Sequence, residues 1–533
     1  MSRLDRTKIS QTLRVTGDAF RLTHRESGAT GHVVVVDLGF GDAGKGTVVD
    51  HLCRAAAAAG RPAAAVVRFN GGAQAAHNVV TDDGRHHTFA QFGAGTLAGV
   101  PTHLSRYVLV DPLALATEAD HLAELGVPDP LGSLTVHRDA LLTTPYHAAA
   151  NRARETARGA GRHGSCGMGI GETAAYALAH PDDAPRARDC AHPARLRRLL
   201  GELRALLESE LGPLAAPPVE DCVEVFGQFA RAVRLVDDHH LADVLRTGPV
   251  VFEGAQGVLL DEWHGFHPYT TWSTTTFANA QKLLRDAGVD DGDVTRLGVL
   301  RTFTTRHGAG PLVSEEAALT AALPDQFNTT GRWQGAFRAG HFDAVAHRYA
   351  VEVAGGVDAV ALTHLDAPAR YPLRVCRAYD VVDVPTEGGG FSDFSDCADY
   401  ADIAATPARR SGGVDVARCT AAGAGAGAGP GAGAGAGAGV GLGAGVGVAV
   451  GTRRTVRAPA PRADGVRRRI DRLIPRPAGD LDGSAVLTRR LLRARPVLDE
   501  PLPGSDEWSD LVAETCGAPV SVRSYGPRSG DKR

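Results

Sequence analysis

Lysine is scarce in this chain. Of 57 basic residues only Lys8, Lys45, Lys282 and Lys532 are lysine, and the rest are arginine, in a sequence rich in Ala, Gly, Pro and Arg as a GC-rich coding bias would make it. Against that bias, a lysine kept inside a glycine-rich loop points to a place that needs a compact ammonium. Net positive charge is also missing: 61 acidic residues bring the balance to −4, so no global basic field advertises nucleic acid as a partner. The cysteines (Cys53, Cys166, Cys190, Cys222, Cys376, Cys397, Cys419 and Cys516) have no paired zinc-type spacing and read as reduced thiols. No charge-free run of Leu, Ile, Val and Phe is long enough to span a bilayer. The start, MSRLDRTKIS, has no apolar signal core, so 1–30 reads as a polar extension and the expected location is cytoplasmic, away from membranes.

At 533 residues the chain has room for one large or two fused domains, and 43% hydrophobic with 22% charged residues is ordinary for a globular enzyme. His32–Asp37 is a short β-branched run of the kind that forms a buried parallel strand. It leads into LGFGDAGKGT and then into Val48–Ala59, which has helical spacing: strand, glycine loop, helix. Further strands are expected at Ala63–Phe69, Tyr107–Val110, Pro249–Phe252, Leu297–Thr302 and Ala359–Leu362. Helical patterns fall at 114–125, 146–158, 193–211 and 343–354. This alternation predicts an α/β fold, a large and mainly parallel central sheet flanked by helices, with ligands at the carboxyl ends of its strands. Ala421–Gly451 is an Ala-Gly near-repeat with too little apolar area to bury, and the Arg-rich stretch 453–475 reads as linker. The expected organisation is a main domain at 31–384, an insertion at about 385–480, and a C-terminal part of the same domain at 481–533.

Gly39-Phe-Gly-Asp-Ala-Gly-Lys45-Gly nearly satisfies the phosphate-loop pattern, but Gly46 stands where Ser or Thr would bind magnesium. Glycines let backbone N–H groups turn toward a phosphate, and Lys45 adds a point charge. Asp42 is the unexpected element, because a carboxylate in an anion-binding loop repels phosphate unless it binds a metal or moves a proton. The alternative reading of the loop alone is a surface turn that happens to contain an Asp.

From here the chain resembles the adenylosuccinate synthetase family. The family signature Trp-Gly-Asp-Glu-Gly-Lys-Gly is answered by Phe40-Gly-Asp-Ala-Gly-Lys-Gly46, and Gly-Gly-x-Asn-Ala-Gly-His by Gly71-Gly-Ala-Gln-Ala-Ala-His77. Gly164-Ser-Cys-Gly-Met-Gly-Ile-Gly171 resembles its Gly-Thr-Thr-Gly-Arg-Gly-Ile-Gly loop. Phe252-Glu-Gly-Ala-Gln-Gly-Val-Leu-Leu-Asp261, Thr305-Arg-His-Gly-Ala-Gly-Pro311 and Thr329-Thr-Gly-Arg332 are close to the family's blocks as they stand. Thr363-His-Leu-Asp366 and Ser524-Tyr-Gly-Pro527 resemble its guanine-reading segments. The blocks keep family order along the chain, interrupted by the Ala-Gly segment.

The resemblance implies a ligase that phosphorylates the 6-oxygen of IMP with GTP and lets L-aspartate displace the phosphate. Asp42 would take the N1 proton and ligate one Mg2+ ion, with the Ala76 carbonyl as a second ligand. His77 would donate to the transferring phosphoryl group and Lys45 would hold the polyphosphate. Gln256 would read the purine, since an amide donates and accepts together. Gln74, Cys166 and Thr271 fall at acceptor-phosphate positions. Thr329, Thr330 and Arg332 would hold aspartate, the Arg gripping a carboxylate through two bonds. Gly41, Gly44 and Gly46 would cradle GTP, while His364, Asp366, Ser524 and Gly526 would read its guanine. A homodimer is implied as well.

Departures from the family pattern cluster. Gln74 replaces Asn, Cys166 replaces Thr, and His180 falls where an Arg reaches into the neighbouring subunit. Losing an Arg and a hydroxyl weakens the hold on a dianion, each charge-assisted bond being worth roughly 1.5–3 kcal/mol. An IMP analogue or a nucleoside is therefore a second acceptor reading. Ala43 replaces Glu, His364 replaces Lys, and Gly331-Arg-Trp-Gln-Gly-Ala-Phe-Arg338 carries extra residues. A regulatory GTP switch is disfavoured by Gly46, a non-catalytic scaffold by the retention of Asp42, Lys45, His77, Gln256 and Arg332, and a dehydrogenase by Lys45 and the glycine spacing.

Overall fold

The computed structural model describes residues 31–159, 162, 164–325, 327–328, 330–331, 333–383, 466–502 and 504–533. The expectations for 1–30 and for the Ala-Gly segment 421–451 lie outside the described residues, as do Thr329, Arg332, Cys397 and Cys419.

Strand β1 (His32–Asp37) is buried along its whole length. Its valines alternate between two apolar layers: Val33 and Val35 pack with Leu52, Val66 and Val251, while Val34 and Val36 pack with Val67, Phe252 and Leu300. A strand covered on both faces has no reason to alternate apolar with polar, which is why it reads as one β-branched run. In chain order there follow β2 (Ala65–Arg68), β3 (His77–Val80), β4 (His86–Phe89), β5 (Thr102–Leu104), β6 (Leu109–Val110), β7 (Leu134–His137), β8 (Leu141–Leu142) and β9 (Arg234–Val236). Then come β10 (Val250–Glu253), β11 (Val294–Arg301), β12 (Phe303–His307), β13 (Phe337–Asp343), β14 (Ala359–Thr363), β15 (Val375–Asp383), β16 (Val466–Ile470), β17 (Arg495–Leu498) and β18 (Val520–Arg523).

Nine of these strands form one sheet in the order β18-β14-β11-β1-β10-β2-β5-β7-β9. Every neighbouring pair in it is parallel. All nine therefore end on one edge, and the loops after β1, β2, β10, β11, β14 and β18 meet there. A second sheet runs β12-β13-β15-β16, with β17 also on β15. The helices fall close to their expected places: α1 at Lys45–Ala58, and others at Pro112–Glu124, Pro145–Ala157, Pro193–Leu211 and Ala344–Val353. Asp111 caps the second of these by accepting from Leu113 and Ala114 N–H, which satisfies donors the helix itself leaves open.

Two expectations need correction. The segment 107–110 does not enter the central sheet: Leu109–Val110 pairs with Leu141–Leu142, drawn aside because Leu109 N–H donates to Gly71 O at 2.8 Å. The place beside β2 goes to Thr102–Leu104, a run too short and too polar to stand out in the sequence. The insertion also ends earlier than 480. Val466–Ile470 pairs antiparallel with β15 and Leu473 is buried, so the body resumes at Val466.

Candidate active site

The loop after β1 is tied to Asp37, the strand's last residue. Its Oδ1 accepts from Gly39 N–H at 2.8 Å and Gly41 N–H at 3.2 Å. Its Oδ2 accepts from Ala43 N–H at 2.8 Å and from Lys45 Nζ at 3.1 Å. Asp42 stands at the loop's crest with φ 60°, left-handed backbone that a non-glycine residue adopts at a cost. Its carboxylate faces His307, Nε2 to Oδ2 3.5 Å. Burial pushes the Asp42 carboxyl up from its ordinary range, opposed by the charges of His307, Lys45 and Arg301.

His77 opens β3 and approaches α1 from the side. A Cβ at Gly46 would lie 2.8 Å from the His77 Cβ, so the departure from the Ser/Thr pattern has a steric cause: only glycine lets the helix come this close. His77 Nδ1 meets Glu253 Oε1 at 2.5 Å, both side chains buried. The second Glu253 oxygen accepts from Ala94 N–H at 2.9 Å. Burial pulls His77 down to about 4, against the neighbouring carboxylate that favours its charged form. Burial would raise Glu253, but Arg68 and His77 outweigh it and hold the carboxyl low. The pair fixes the ring and leaves Nε2 as the nitrogen able to meet a ligand. The Lys45 charge bears on Asp42 and His77 alike, so the three groups share one electrostatic environment.

The turn after β10 seats against the same loop. A Cβ on Gly257 would run into Gly39 O and Gly41 N. Next to it Gln256 takes φ 57°, with its Oε1 buried and unpartnered among protein groups. Gln256 also lies beside Gly71, whose Cβ would meet Gln256 Oε1 at 3.3 Å. Both carboxamide atoms of Gln74 are buried without a protein partner, close to Gly72 and Ile170. Buried amide groups left without protein partners are in the condition of side chains awaiting a polar ligand.

On the other flank, Thr363 Oγ1 donates to Ala43 O at 2.7 Å. His364 follows with φ 57°, held by Arg301 at 3.1 Å; burial, with Arg301 and Lys532 nearby, keeps it well below its ordinary range. Among the described residues four non-glycine residues have positive φ, and three of them, Asp42, Gln256 and His364, are candidate site residues. Strained backbone concentrated this way marks a functional centre. Ser524 N–H donates to Leu362 O at 2.9 Å and Leu365 N–H to Ser524 O at 3.0 Å, which joins Thr363–Asp366 to Ser524–Pro527, and Ser524 Oγ donates to Gly526 O at 3.0 Å. Asp366 is part-exposed and sits 3.8 Å from Arg370.

Other expected residues lie in loops and at a helix end. Cys166 is half-buried with its thiol pushed up by burial, in a loop that abuts Trp333 through Gly167. Thr271 is held by its backbone, N–H to Leu260 O at 2.8 Å. Thr330 is exposed at the edge of a turn closed by Gly331 and Gly335, 3.0 Å N to O. His180 ends the helix Ile170–Ala179. Ala76 is exposed. Asp37, Glu253, Arg301, His307 and Lys532 were not singled out from sequence. Lys532 donates to Thr47 Oγ1 at 2.6 Å and to Arg528 O at 2.8 Å, fastening the last turn to α1. The six described cysteines are free.

For magnesium, no group of three or more His, Cys, Asp or Glu converges among the described residues. One carboxylate and one carbonyl are still a fitting set, because Mg2+ beside a polyphosphate draws its remaining oxygens from phosphate and water.

A parallel sheet that brings a glycine loop, a lysine, a carboxylate and a carboxylate-held histidine to one edge defines a nucleotide-dependent phosphoryl-transfer enzyme. Residues 34–402 match the family described as adenylosuccinate synthetase. The adenylosuccinate synthetase of Neisseria gonorrhoeae is 33% identical over 387 residues, 69% of this chain and 83% of that protein. The one from Thermosynechococcus vestitus is 34% identical over 377 residues, covering 66% and 77%. A solved structure of the fully ligated adenylosuccinate synthetase from Plasmodium falciparum superposes with a TM-score of 0.67 at 16% identity, covering 94% of this chain and 99% of that one, a likeness of fold. The chain belongs to the adenylosuccinate synthetase family, GTP-dependent carbon–nitrogen ligases that use Mg2+. No helix among the described residues is long and apolar enough to cross a membrane.

Proposed function

We propose that the chain joins L-aspartate to C6 of IMP, converting GTP to GDP and phosphate through a 6-phosphoryl intermediate. The purine 6-oxygen is a poor leaving group. Asp42 removes the N1 proton, and the 6-oxygen then attacks the γ-phosphorus while His77 donates to the phosphoryl oxygens and Lys45 balances their charge. The amine of aspartate adds at C6 and phosphate leaves. Mg2+, held by Asp42 and the Ala76 carbonyl, would supply charge neutralisation to the polyphosphate. Gln256 reads the base; Thr329, Thr330 and Arg332 take aspartate; Asp366 and the Ser524–Pro527 turn take guanine. A cytoplasmic homodimer fits this chemistry.

The observation that carries the reading is the convergence of Asp42, Lys45 and the Glu253-held His77 on one loop and its neighbouring helix turn. Purified protein with GTP, Mg2+ and aspartate should release phosphate only when a purine acceptor is added. One feature supports a second acceptor: Gln74 and Cys166 offer an amide and a neutral thiol where a dianion would want a cation or hydroxyl. The same assay with IMP and with inosine separates the two, and activity with inosine alone would remove IMP as the substrate.

A further inference from the structure

The carboxylate most firmly held in the site has no part in the chemistry above. Asp37 is 1% exposed and accepts from four donors: the N–H groups of Gly39, Gly41 and Ala43, and the Lys45 ammonium. Three of the four are backbone groups of the phosphate loop. Those N–H groups are taken up by the carboxylate. What the loop leaves for phosphate is the N-terminus of α1, where Lys45, Gly46 and Thr47 N–H have no partner within the helix. The division of labour is clean. Asp37 anchors the first half of the loop from beneath, and the second half presents helix donors above.

We propose that Asp37 is a positioning residue for nucleotide binding. Its side chain templates the glycine loop and aims Lys45. Gly41 and Gly44 both have φ 96°, a conformation the loop keeps only if something determines it, and three charge-assisted backbone bonds to one carboxylate do so. A negative charge beneath a polyphosphate site also repels the ligand. The three-to-one weight of backbone bonds over the ammonium contact makes ordering of the loop the larger effect. Asn at this position has the right shape, but its amide N–H groups would face N–H groups and an ammonium.

This inference rests on the GTP reading, and the test separates the two. Mg·GDP affinity is measured by titration calorimetry on the full chain and on Asp37→Asn. In parallel, both are labelled with ε-13C lysine, which gives only four signals to assign. Asp37→Asn should bind GDP at least about tenfold more weakly. It should move the Lys45 signal without nucleotide and leave Lys282 where it was. Binding within twofold of wild type, or tighter, overturns the proposal, and so does an unmoved Lys45 signal. If Asp37→Asn fails to fold, Asp37→Ser is read in the same way. A wild-type chain that binds no GDP overturns the GTP reading together with this one, whereas wild-type binding with an indifferent Asp37 overturns this one alone.

Discussion

Replacing Glu253 with Gln probes a buried link in the proposed chemistry. The bond from His77 Nδ1 to Glu253 Oε1 is 2.5 Å long between side chains 6% and 0% exposed, so water does not compete for it. A hydrogen bond to a charged group in such a setting contributes roughly 1.5–3 kcal/mol. If His77 stabilises charge that develops only in the transition state, that loss appears in kcat. At about 1.36 kcal/mol per factor of ten, kcat should fall roughly 10- to 150-fold. The GTP KM should change little, because Glu253 is in the wall behind His77 and not in the loop that holds phosphate. A second, independent signature follows from the other oxygen, which accepts from Ala94 N–H at 2.9 Å. Gln presents an N–H to that N–H in one orientation and to His77 in the other, so the melting temperature should also fall, by an amount matching about 1–3 kcal/mol. Steady-state phosphate release with saturating GTP, aspartate and acceptor reads the first effect, and calorimetry the second. A folded Glu253→Gln enzyme with kcat within twofold of wild type would refute the assigned role of His77.

Gly46→Ser, which restores the usual magnesium-binding residue of phosphate loops, should destabilise the chain by about 1–3 kcal/mol and lower activity, since its Cβ would lie 2.8 Å from His77 Cβ; thermal melts and turnover check it. Lys532→Met removes the donor that ties Arg528 and Thr47 together and should raise the GTP KM about tenfold with kcat nearly unchanged. Asp343, 3% exposed, is pushed up to about 6 by burial while its Oδ1 accepts from Ala346 N–H and Tyr379 O–H. Between the unfolded value near 3.8 and about 6 the folded state keeps a proton that the unfolded state releases, so wild-type stability falls as pH rises through that window. Asp343→Asn keeps the acceptor and loses the titration; its melting temperature should gain on wild type from pH 4 to 6 and hold that gain above.

Legibility followed the range of the interaction. The unit of β1, loop and α1 was readable because its signals are local: a β-branched run, glycines, then helical spacing. The turn at Glu253–Gly257 and the segments Thr363–Asp366 and Ser524–Pro527 were readable through family blocks, each a few residues long. What failed to show were partners far apart in the chain. Glu253 lies 176 positions from His77, and nothing in the spacing of either pairs them. Lys532 is 485 positions from Thr47, and its rarity as a lysine was visible without its use. Asp37 looked like the polar residue that ends a strand, since its four donors come from a loop whose path a sequence does not specify. Thr102–Leu104 was too short a strand to carry periodicity. Val466–Ile470 was hidden in Arg-rich composition that read as linker, because its pairing with β15 is set by Tyr379–Asp383 on the far side of the insertion.

The central claim is that one carboxylate, Asp42, starts the reaction by taking a proton from the purine. It is tested most directly by mass spectrometry of a reaction containing GTP, Mg2+, aspartate and IMP, run with wild type and with Asp42→Asn. Wild type should form the condensation product of acceptor and aspartate together with GDP, while Asp42→Asn, still folded, should form neither. Product from Asp42→Asn at the wild-type rate would contradict the claim.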